Sequence, residues 1–431
     1  MCLQKITSPF HHNMKTLVAF AFFCISFILL SECRKDEYTG IIHSDKLLKA
    51  LIKAGVDKNA DGKISTDEAL TTRSLKLSGD SIGDLSGLEA FINLDSLFCP
   101  FNELKSLDIS ANTKLVYLDC GNNELTNLIV TANINLDVLR CPANSISSLD
   151  LSKNSMIQEL DCSQNNLAQL DLSGLSNLLV LDCSLNKLTH LDVSSNSLLN
   201  TFSCFSNLFP EIDVSHNAEL AEFNCSGNNL SSIDVSLNPY LQMFNCGGNR
   251  LAGLDVTNCH LLYMLDCFQN LLTGIDLSQN PQLAILDCQW NKMTAIDLSN
   301  NKMLDNLTCA ENNLTTLDLS QNTVLEHLDC MQNQLTVLDL TNNIEIRYLN
   351  CEENELQSIK LATCKYLQEL YCGGNQLTSL NISQNTILKT IFMGEMPTLS
   401  KVCVWVLPFA PANCTIYTGN SANIVYSTQC L

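Results

Sequence analysis

The residues from 57 to 68 place oxygen-bearing groups at alternate positions, an arrangement suited to a hard cation. Carboxylate, amide and carbonyl oxygens are the ligands that Ca²⁺ prefers in proteins. Gly62 allows the sharp turn that such a loop needs, and Ile64 supplies an apolar residue for a short strand beside it. The pattern predicts a cation-binding loop.

This segment resembles the EF-hand loop, and a predicted helix before it makes the arrangement similar to a dockerin-like module. The resemblance implies one structural Ca²⁺ ion, with ligands from Asp57, Asn59, Asp61, the Lys63 carbonyl, Ser65 and a bidentate Glu68. Ser44 is placed to cap that helix, whose apolar residues include Leu47 and Leu51. EF-hands usually occur in pairs, and one loop is present here. The resemblance therefore implies weak affinity and a structural role for the ion. The alternative is a loop that keeps the shape without appreciable affinity.

Cysteine is the second residue type with possible chemistry, since the chain of 431 residues contains 22 of them. A series of these cysteines recurs every 21 residues from Cys99 to Cys372, and an asparagine follows each by three residues. In a stacked fold, the Cα atoms of cysteines in neighbouring coils would lie within the range of a disulfide. Their side chains would run parallel, however, and so keep the Cβ atoms too far apart for one. A single row of thiols also offers no tetrahedral metal site. We therefore interpret this cysteine ladder as a column of small apolar core residues.

The elements that position these residues follow from the repeat L-x-x-L-D-C-x-x-N-x-L-x-x-L-D-L-S-x-N-x-x. The L-D-C triplet alternates inward and outward, which predicts a short strand in each coil, and L-D-L predicts a second extended segment. The pattern resembles the short, irregular 21-residue class of leucine-rich repeats. The resemblance implies a β-rich leucine-rich-repeat solenoid, with parallel short strands stacked coil on coil and little helix outside an N-terminal calcium-loop cap.

The N-terminal residues resemble an export signal of lipoprotein type. Translation would start at Met14, an apolar run extends from Leu17 to Leu30, and Cys33 would become the lipidated residue. Glu32 departs from the usual small residue before that cysteine, so a plain signal peptide or an uncleaved anchor remains open. The predicted organisation is a signal peptide (1–33), a helix with the EF-hand-like cap (34–73), the solenoid (74–402) and a C-terminal cap (403–431), in which Cys403 and Cys430 are the simplest disulfide pair.

The formal net charge of −21 excludes nucleic acid as a partner, because no basic cluster offsets it. Aspartates recur in two columns, one of them from Asp108 to Asp339, and we interpret this column as supporting turns. The alternative is a negative face for basic partners or divalent cations. Recognition is expected where columns vary. Aromatic residues and arginine are favoured as binding anchors, and the candidates are Phe101, Tyr117, Arg140, Phe205, Phe268, Trp290, Arg347, Tyr348 and Tyr371.

The sequence thus predicts a monomeric, non-catalytic binding or adhesion scaffold for a protein or polysaccharide ligand. It resembles exported leucine-rich repeat proteins of bacteria, in particular Bacteroidota surface lipoproteins, which implies an outer-membrane or cell-surface lipoprotein, or a secreted protein. A passive stalk is the alternative. A cell-surface enzyme or enzyme accessory subunit is disfavoured because the seven histidines share no column and no nucleophile–base motif is present.

Overall fold

A computed structural model describes residues 42, 44–409, 414–421 and 424–429. Two helices open the described chain, α1 (Asp45–Lys53) and α2 (Thr66–Thr71). The Ser44 side chain accepts a hydrogen bond from the Leu47 amide and so caps α1. One turn of 3-10 helix follows at Leu88–Ala90. No helix within these ranges has the length and apolar composition to cross a membrane.

The solenoid contains one long parallel sheet in which each strand pairs in register with the strand of the next coil. Its strands are β1 (Ser74–Lys76), β2 (Ser96–Phe98), β3 (Tyr117–Asp119), β4 (Val138–Arg140), β5 (Glu159–Asp161), β6 (Val180–Asp182), β7 (Thr201–Ser203), β8 (Glu222–Asn224), β9 (Met243–Asn245), β10 (Met264–Asp266), β11 (Ile285–Asp287), β12 (Asn306–Thr308), β13 (His327–Asp329), β15 (Tyr348–Asn350), β17 (Glu369–Tyr371), β19 (Thr390–Phe392) and β21 (Thr415–Tyr417).

Five further strands lie in the second half of the last coils and form two small parallel sheets. One sheet contains β14 (Val337–Asp339) and β16 (Ser358–Lys360); the other contains β18 (Ser379–Asn381), β20 (Lys401–Cys403) and β22 (Val425–Ser427).

The solenoid confirms the predicted fold class. The expected second extended segment pairs as sheet only from Val337 onward, apart from one bridge between Asp255 and Asp276. Side chains hold this segment in the earlier coils: the Asp213 carboxylate accepts from the Ser215 amide, and Asn238 Nδ2 donates to the Val214 carbonyl oxygen. The same side-chain bonds are present in the later coils, for example at Asp339 and Asn343.

A continuous core runs along the solenoid, because each coil buries the same columns. Leu181 and Cys183 are both fully buried, whereas the strand residues on either side of Leu181 are partly exposed. The asparagine three residues after each ladder cysteine joins neighbouring coils. Asn186 Nδ2 donates to the carbonyl oxygens of Cys162 (3.0 Å) and Cys183 (3.1 Å), and its Oδ1 accepts from the Leu167 amide (2.9 Å). Each coil is thereby locked to the preceding one.

A second buried asparagine column lies thirteen residues after the ladder cysteines. Asn238 is typical: its Nδ2 donates to the carbonyl oxygens of Val214 (3.1 Å) and Asn217 (2.8 Å). Cys259 and Cys364 take the asparagine place in two coils and are buried as free thiols. Neither cysteine has the side-chain amide that donates two hydrogen bonds in this column. The Cys259 Sγ lies 3.8 Å from the Val235 carbonyl oxygen.

Candidate functional site

The loop from Asp57 to Glu68 coils tightly through hydrogen bonds between its own side chains and backbone. Asp57 Oδ2 accepts from the Gly62 amide, Asn59 Oδ1 from the Asp61 amide and Asp61 Oδ1 from the Lys63 amide, each at 2.9 Å. Gly62 has φ +80°, which glycine adopts without strain. These bonds hold the carboxylates of Asp57 and Asp61 and the side-chain amide of Asn59 on one short, tightly turned stretch of chain.

One oxygen of this loop supports a cation-binding role. Asp57 Oδ1 is buried, and among the described residues it has no hydrogen-bond donor. A buried carboxylate oxygen without a partner is costly unless a donor or a cation satisfies it. The oxygen-rich set from Asp57 to Ser65 fits Ca²⁺, which accepts side-chain and carbonyl oxygens together.

Glu68 has a different set of contacts from the expected bidentate ligand. Its Oε1 accepts from the amides of Lys58 (2.6 Å) and Asn59 (3.3 Å), and its Oε2 accepts from the Ser65 amide (2.8 Å) and hydroxyl (2.9 Å). Burial raises the pKa of Glu68, but these hydrogen bonds outweigh burial and leave the pKa below its ordinary value. Within the described ranges, no three His, Cys, Asp or Glu side chains converge to hold a metal ion. Calcium binding therefore stays a prediction.

The cysteine ladder lies wholly inside the solenoid. All fourteen ladder residues from Cys99 to Cys372 are buried free thiols. Burial raises the pKa of the Cys372 thiol to about 12, so this thiol is protonated at neutral pH. Protonated, buried thiols are neither good nucleophiles nor metal ligands. The arrangement matches the interpretation of this ladder as a packing column.

The aspartate column from Asp108 to Asp339 stabilises turns. Each of its members accepts a hydrogen bond from the amide two residues later, as Asp234 does from Ser236 (2.9 Å). The bonds from the Ser236 side chain and amide lower the pKa of the Asp234 carboxyl. These carboxylates stabilise the turns of the solenoid, which accounts for their regular spacing along the sequence.

We define the strand face as the outward residues of the long sheet: the first and third residue of each strand, and the residue after each ladder cysteine. Four of the nine candidate binding residues lie on its strands and form two pairs. Arg140 lies over the Tyr117 ring, 5.8 Å from its centroid, and also bonds to Glu159. The Tyr348 and Tyr371 rings are 5.6 Å apart.

The other five candidates are not gathered into one site. Phe205 and Phe268 follow ladder cysteines and lie on the strand face in separate coils. Phe101 and Trp290 occupy left-handed corner positions, with 63% and 48% of their surfaces exposed. Arg347 precedes its strand, pairs with Glu326 and lies over Tyr366.

Several strand-face residues were missed by the sequence analysis. Phe98 stacks on Tyr117 with ring centroids 4.5 Å apart, and Lys76 lies over Phe98. At the other end of the sheet, His327 and Phe392 belong to the same columns as Tyr348 and Tyr371. For His327 and Phe392, an aromatic residue at the same strand position of the neighbouring coil was the available signal. Phe98 and Tyr117 occupy different strand positions, so this signal does not apply to them.

Two predicted sites extend beyond the described residues. Cys33 and Cys430 both lie outside them. Cys403 is disulfide-bonded, whereas Cys414 is a free thiol. The Cys403–Cys430 pair and lipidation of Cys33 remain predictions.

Comparison with known proteins gives the class. No family model matches the chain, and no curated protein matches it. A solved structure described as the functional domain of InlJ from Listeria monocytogenes, which includes a cysteine ladder, is 31% identical with a TM-score of 0.68; the match covers 80% of this chain and 82% of that one. A leucine-rich repeat protein of Leptospira interrogans is 22% identical with a TM-score of 0.63, over 82% of this chain and 97% of that one.

A plant peptide hormone receptor, RGFR1, solved in complex with RGF2, is 19% identical with a TM-score of 0.52, over 78% of this chain and 65% of that chain. The fold, the repeat and these similarities define a leucine-rich repeat solenoid. The chain belongs to the leucine-rich repeat proteins, and it shares a cysteine ladder with the Listeria domain.

Proposed function

We propose that this protein is a non-catalytic binding scaffold that presents the strand face to a protein or polysaccharide ligand at the cell surface. The observation that carries the proposal is the contrast between the strand face and the core columns. The core repeats the same residues, whereas the outward positions vary and include Tyr117, Arg140, Tyr348 and Tyr371. The peptide complex of the plant receptor, which shares the fold, is compatible with a protein ligand.

An enzyme is the disfavoured alternative, because the described histidines do not assemble with a nucleophile. His190, His216 and His260 lie in separate columns away from the strand face, and His327 stacks on Tyr348. Burial lowers the pKa of His327, so its ring is neutral at pH 7. Hydrolase turnover by the purified chain that disappears in His327→Ala would contradict the proposal.

The direct test of the scaffold is saturable binding that depends on the strand face. The full chain is immobilised and exposed to a panel of basic, acidic and neutral proteins and soluble polysaccharides. The variant carries Tyr117→Ala with Tyr348→Ala, and the control carries Tyr240→Ala, which removes an exposed ring away from the strand face. The proposal requires a ligand whose binding is lost in the first variant and kept in the control. A stalk would show no saturable binding to any panel member.

Calcium binding at the N-terminal loop is part of the same proposal. The support is the unpaired Asp57 Oδ1 together with the closed turns at Asn59 and Asp61. Oxygens of Asp57, Asn59, Asp61, Lys63 and Ser65 would coordinate bound Ca²⁺. The Glu68 carboxylate would give up its hydrogen bonds from backbone amides and coordinate the ion instead. The charge of Ca²⁺ would offset the carboxylates and stabilise the cap against the first coil.

Lipidation of Cys33 is the proposed route to the surface. The support is the apolar run from Leu17 to Leu30 with its abrupt charged end after Cys33. A diacylated cysteine would hold the solenoid at a membrane without a spanning helix. Expression in a diderm bacterium should give a membrane-associated product whose first residue is acylated Cys33, and Cys33→Ser should release it. A soluble wild-type product without lipid would refute this route.

A further inference from the structure

Five aromatic rings form a continuous line at the C-terminal end of the strand face, which we call the C-terminal aromatic ladder. The ring centroids of His327 and Tyr348 are 4.3 Å apart, those of Tyr348 and Tyr371 5.6 Å, those of Tyr371 and Phe392 6.5 Å, and those of Phe392 and Tyr417 4.4 Å. The described chain places no comparable run of five rings elsewhere. Each ring remains partly accessible, and Tyr417 at the end is 47% exposed.

Glycines beside the strands let these rings lie close to the backbone. A Cβ at Gly373 would meet the Phe392 ring, and a Cβ at Gly394 would meet the Tyr417 ring. The small residues therefore make room for the large ones in the neighbouring coil. Rings confined in this way lose little conformational entropy when a ligand covers them, which favours binding.

Carboxylates, but no cations, share the outward positions of the five strands concerned. Asp329, Glu352 and Glu369 lie there, and lysine and arginine are absent from these described positions. Burial, Glu353 and Asp329 raise the pKa of Glu352, as burial does that of Asp329. Arg347 and Lys389 stand just before two of these strands and are engaged beside the face, Arg347 with Glu326 and Lys389 with Gln368. The surface thus carries negative charge that its own side chains leave unbalanced.

The opposite end of the same face shows what completes such a surface. There the stacked rings of Phe98 and Tyr117 have cations of the protein itself over them, Lys76 at 5.7 Å and Arg140 at 5.8 Å from the ring centroids. Arg140 also bonds to the Glu159 carboxylate. At this end, side chains of the protein itself supply the rings, the carboxylate and the cations. At the C-terminal end, rings and carboxylates are present and the cation is not.

We propose that the C-terminal aromatic ladder binds an extended basic segment of a partner protein, whose arginine or lysine side chains lie over the rings and pair with Asp329, Glu352 and Glu369. Arginine suits both tasks, because its planar guanidinium stacks on aromatic faces and binds carboxylates through two parallel hydrogen bonds. A neutral polysaccharide would leave the three carboxylates without counter-charges. This inference rests on the proposed binding role of the strand face and names the chemistry of the ligand there.

The test uses the full chain and labelled eight-residue peptides of alternating serine with arginine, lysine or glutamate, measured by fluorescence anisotropy. We expect saturable binding in the order arginine, lysine and then glutamate, with weaker binding at high salt. Tyr371→Ala and Glu369→Gln should each weaken arginine-peptide binding by about tenfold, the size of a modest binding anchor. Tyr240→Ala and Glu355→Gln, which remove a ring and a charge away from this face, should each change it less than twofold.

Circular dichroism melts of all four variants verify that the solenoid is folded. No saturable binding of the arginine peptide at low salt would overturn the proposal. Equal losses in Glu369→Gln and Glu355→Gln would also overturn it, since they would show nonspecific attraction to an acidic protein. Binding of a neutral polysaccharide that is lost in Tyr371→Ala would overturn the basic ligand but keep the scaffold function. The scaffold itself fails separately if no member of the panel described above binds through the strand face.

Discussion

The Glu68 carboxylate accepts a hydrogen bond from the Lys58 amide at 2.6 Å, across the loop that joins the two N-terminal helices. This bond connects the start of the loop to α2. The other Glu68 oxygen accepts from the Ser65 amide and so caps the same helix. One buried side chain therefore closes the loop through protein contacts alone. Any ion that enters must compete with these bonds.

Glu68→Gln should destabilise the cap even in the presence of a chelator. The neutral amide accepts fewer and weaker hydrogen bonds, and loss of bonds to a charged group costs about 1.5–3 kcal/mol. Differential scanning calorimetry in EDTA measures the effect, with Asp67→Asn as the exposed control beside it. An unchanged unfolding profile of the N-terminal region would contradict the assigned Glu68 contacts.

The same carboxyl gives the cap a pH dependence. Its pKa in the folded chain lies below the ordinary 4.5. The stabilisation is therefore fully present above about pH 4.5 and is lost as the pH falls through the lowered value. Wild-type and Glu68→Gln chains should differ in stability at pH 6, and the difference should shrink as the pH falls below 4.5. A constant difference over this range would show that the Glu68 charge is irrelevant.

Asp57→Asn should remove any calcium-dependent rise in melting temperature. The amide can keep the bond from Gly62, but it lacks the negative charge and one of the two carboxylate oxygens. Thermal melts with and without millimolar Ca²⁺ measure the effect, with Mg²⁺ as the ion control. A wild-type melt that is indifferent to Ca²⁺ would end the calcium proposal.

Asp266→Asn should stabilise the solenoid at pH 7.5. Burial and the neighbouring Asp287 raise the pKa of Asp266 to about 6, so the folded chain carries an unfavourable charge above that pH. The penalty appears as the pH rises above the ordinary 3.8 and is complete above about 6. The gain at pH 7.5 should be about 1 kcal/mol after allowance for solvent screening, and it should vanish near pH 4.

Urea denaturation at the two pH values measures this gain. Asp276→Asn is the matched control, because hydrogen bonds from Ser278 lower the pKa of Asp276 and its charge is favourable. The control should show no gain at pH 7.5. Equal gains in both variants would mean that net charge, and not the local environment of Asp266, sets the effect.

Cys259→Asn should stabilise the chain by about 1 kcal/mol, because the two hydrogen bonds of the amide outweigh the cost of its oxygen, which is buried without a donor in the neighbouring coils. Asparagine occupies this column in the neighbouring coils, where Asn280 Nδ2 reaches the carbonyl oxygens of Val256 (3.0 Å) and Cys259 (2.8 Å). Cys246→Asn is the opposite control, since it places an amide in the apolar ladder and should destabilise by 1–3 kcal/mol. Stabilisation by both substitutions would contradict the distinction between the two columns.

Much of the fold could be predicted from the repeat, because Leu and Cys alternate with outward residues at a fixed interval. The strand face of the last coil could not be predicted in this way. Phe392 and Tyr417 pair across β19 and β21, but their numbers differ by more than the 21-residue interval that relates Tyr371 to Phe392. The longer spacing hides the periodicity there, and only the sheet pairing reveals that the aromatic column continues.

The candidate site was predictable in part for a similar reason. Outward position follows from periodicity, so Tyr348 and Tyr371 could be selected as surface residues. Their contact is diagonal, between the first residue of one strand and the third residue of the next, and depends on side-chain directions that spacing alone does not give. The Glu68 contacts were missed because a ligand pattern specifies oxygens but not their partners without the ion.

The central claim is that ligands bind on the strand face, and site-specific photo-cross-linking tests it most directly. A photoreactive phenylalanine is placed at Tyr371 or, as the control, at Tyr240, and each full chain is irradiated with the arginine–serine peptide and, separately, with the best panel ligand. We predict a ligand-dependent adduct from position 371 that excess unlabelled ligand abolishes, and none from position 240. Adducts that form only from position 240, or equally from both, would contradict binding on the strand face.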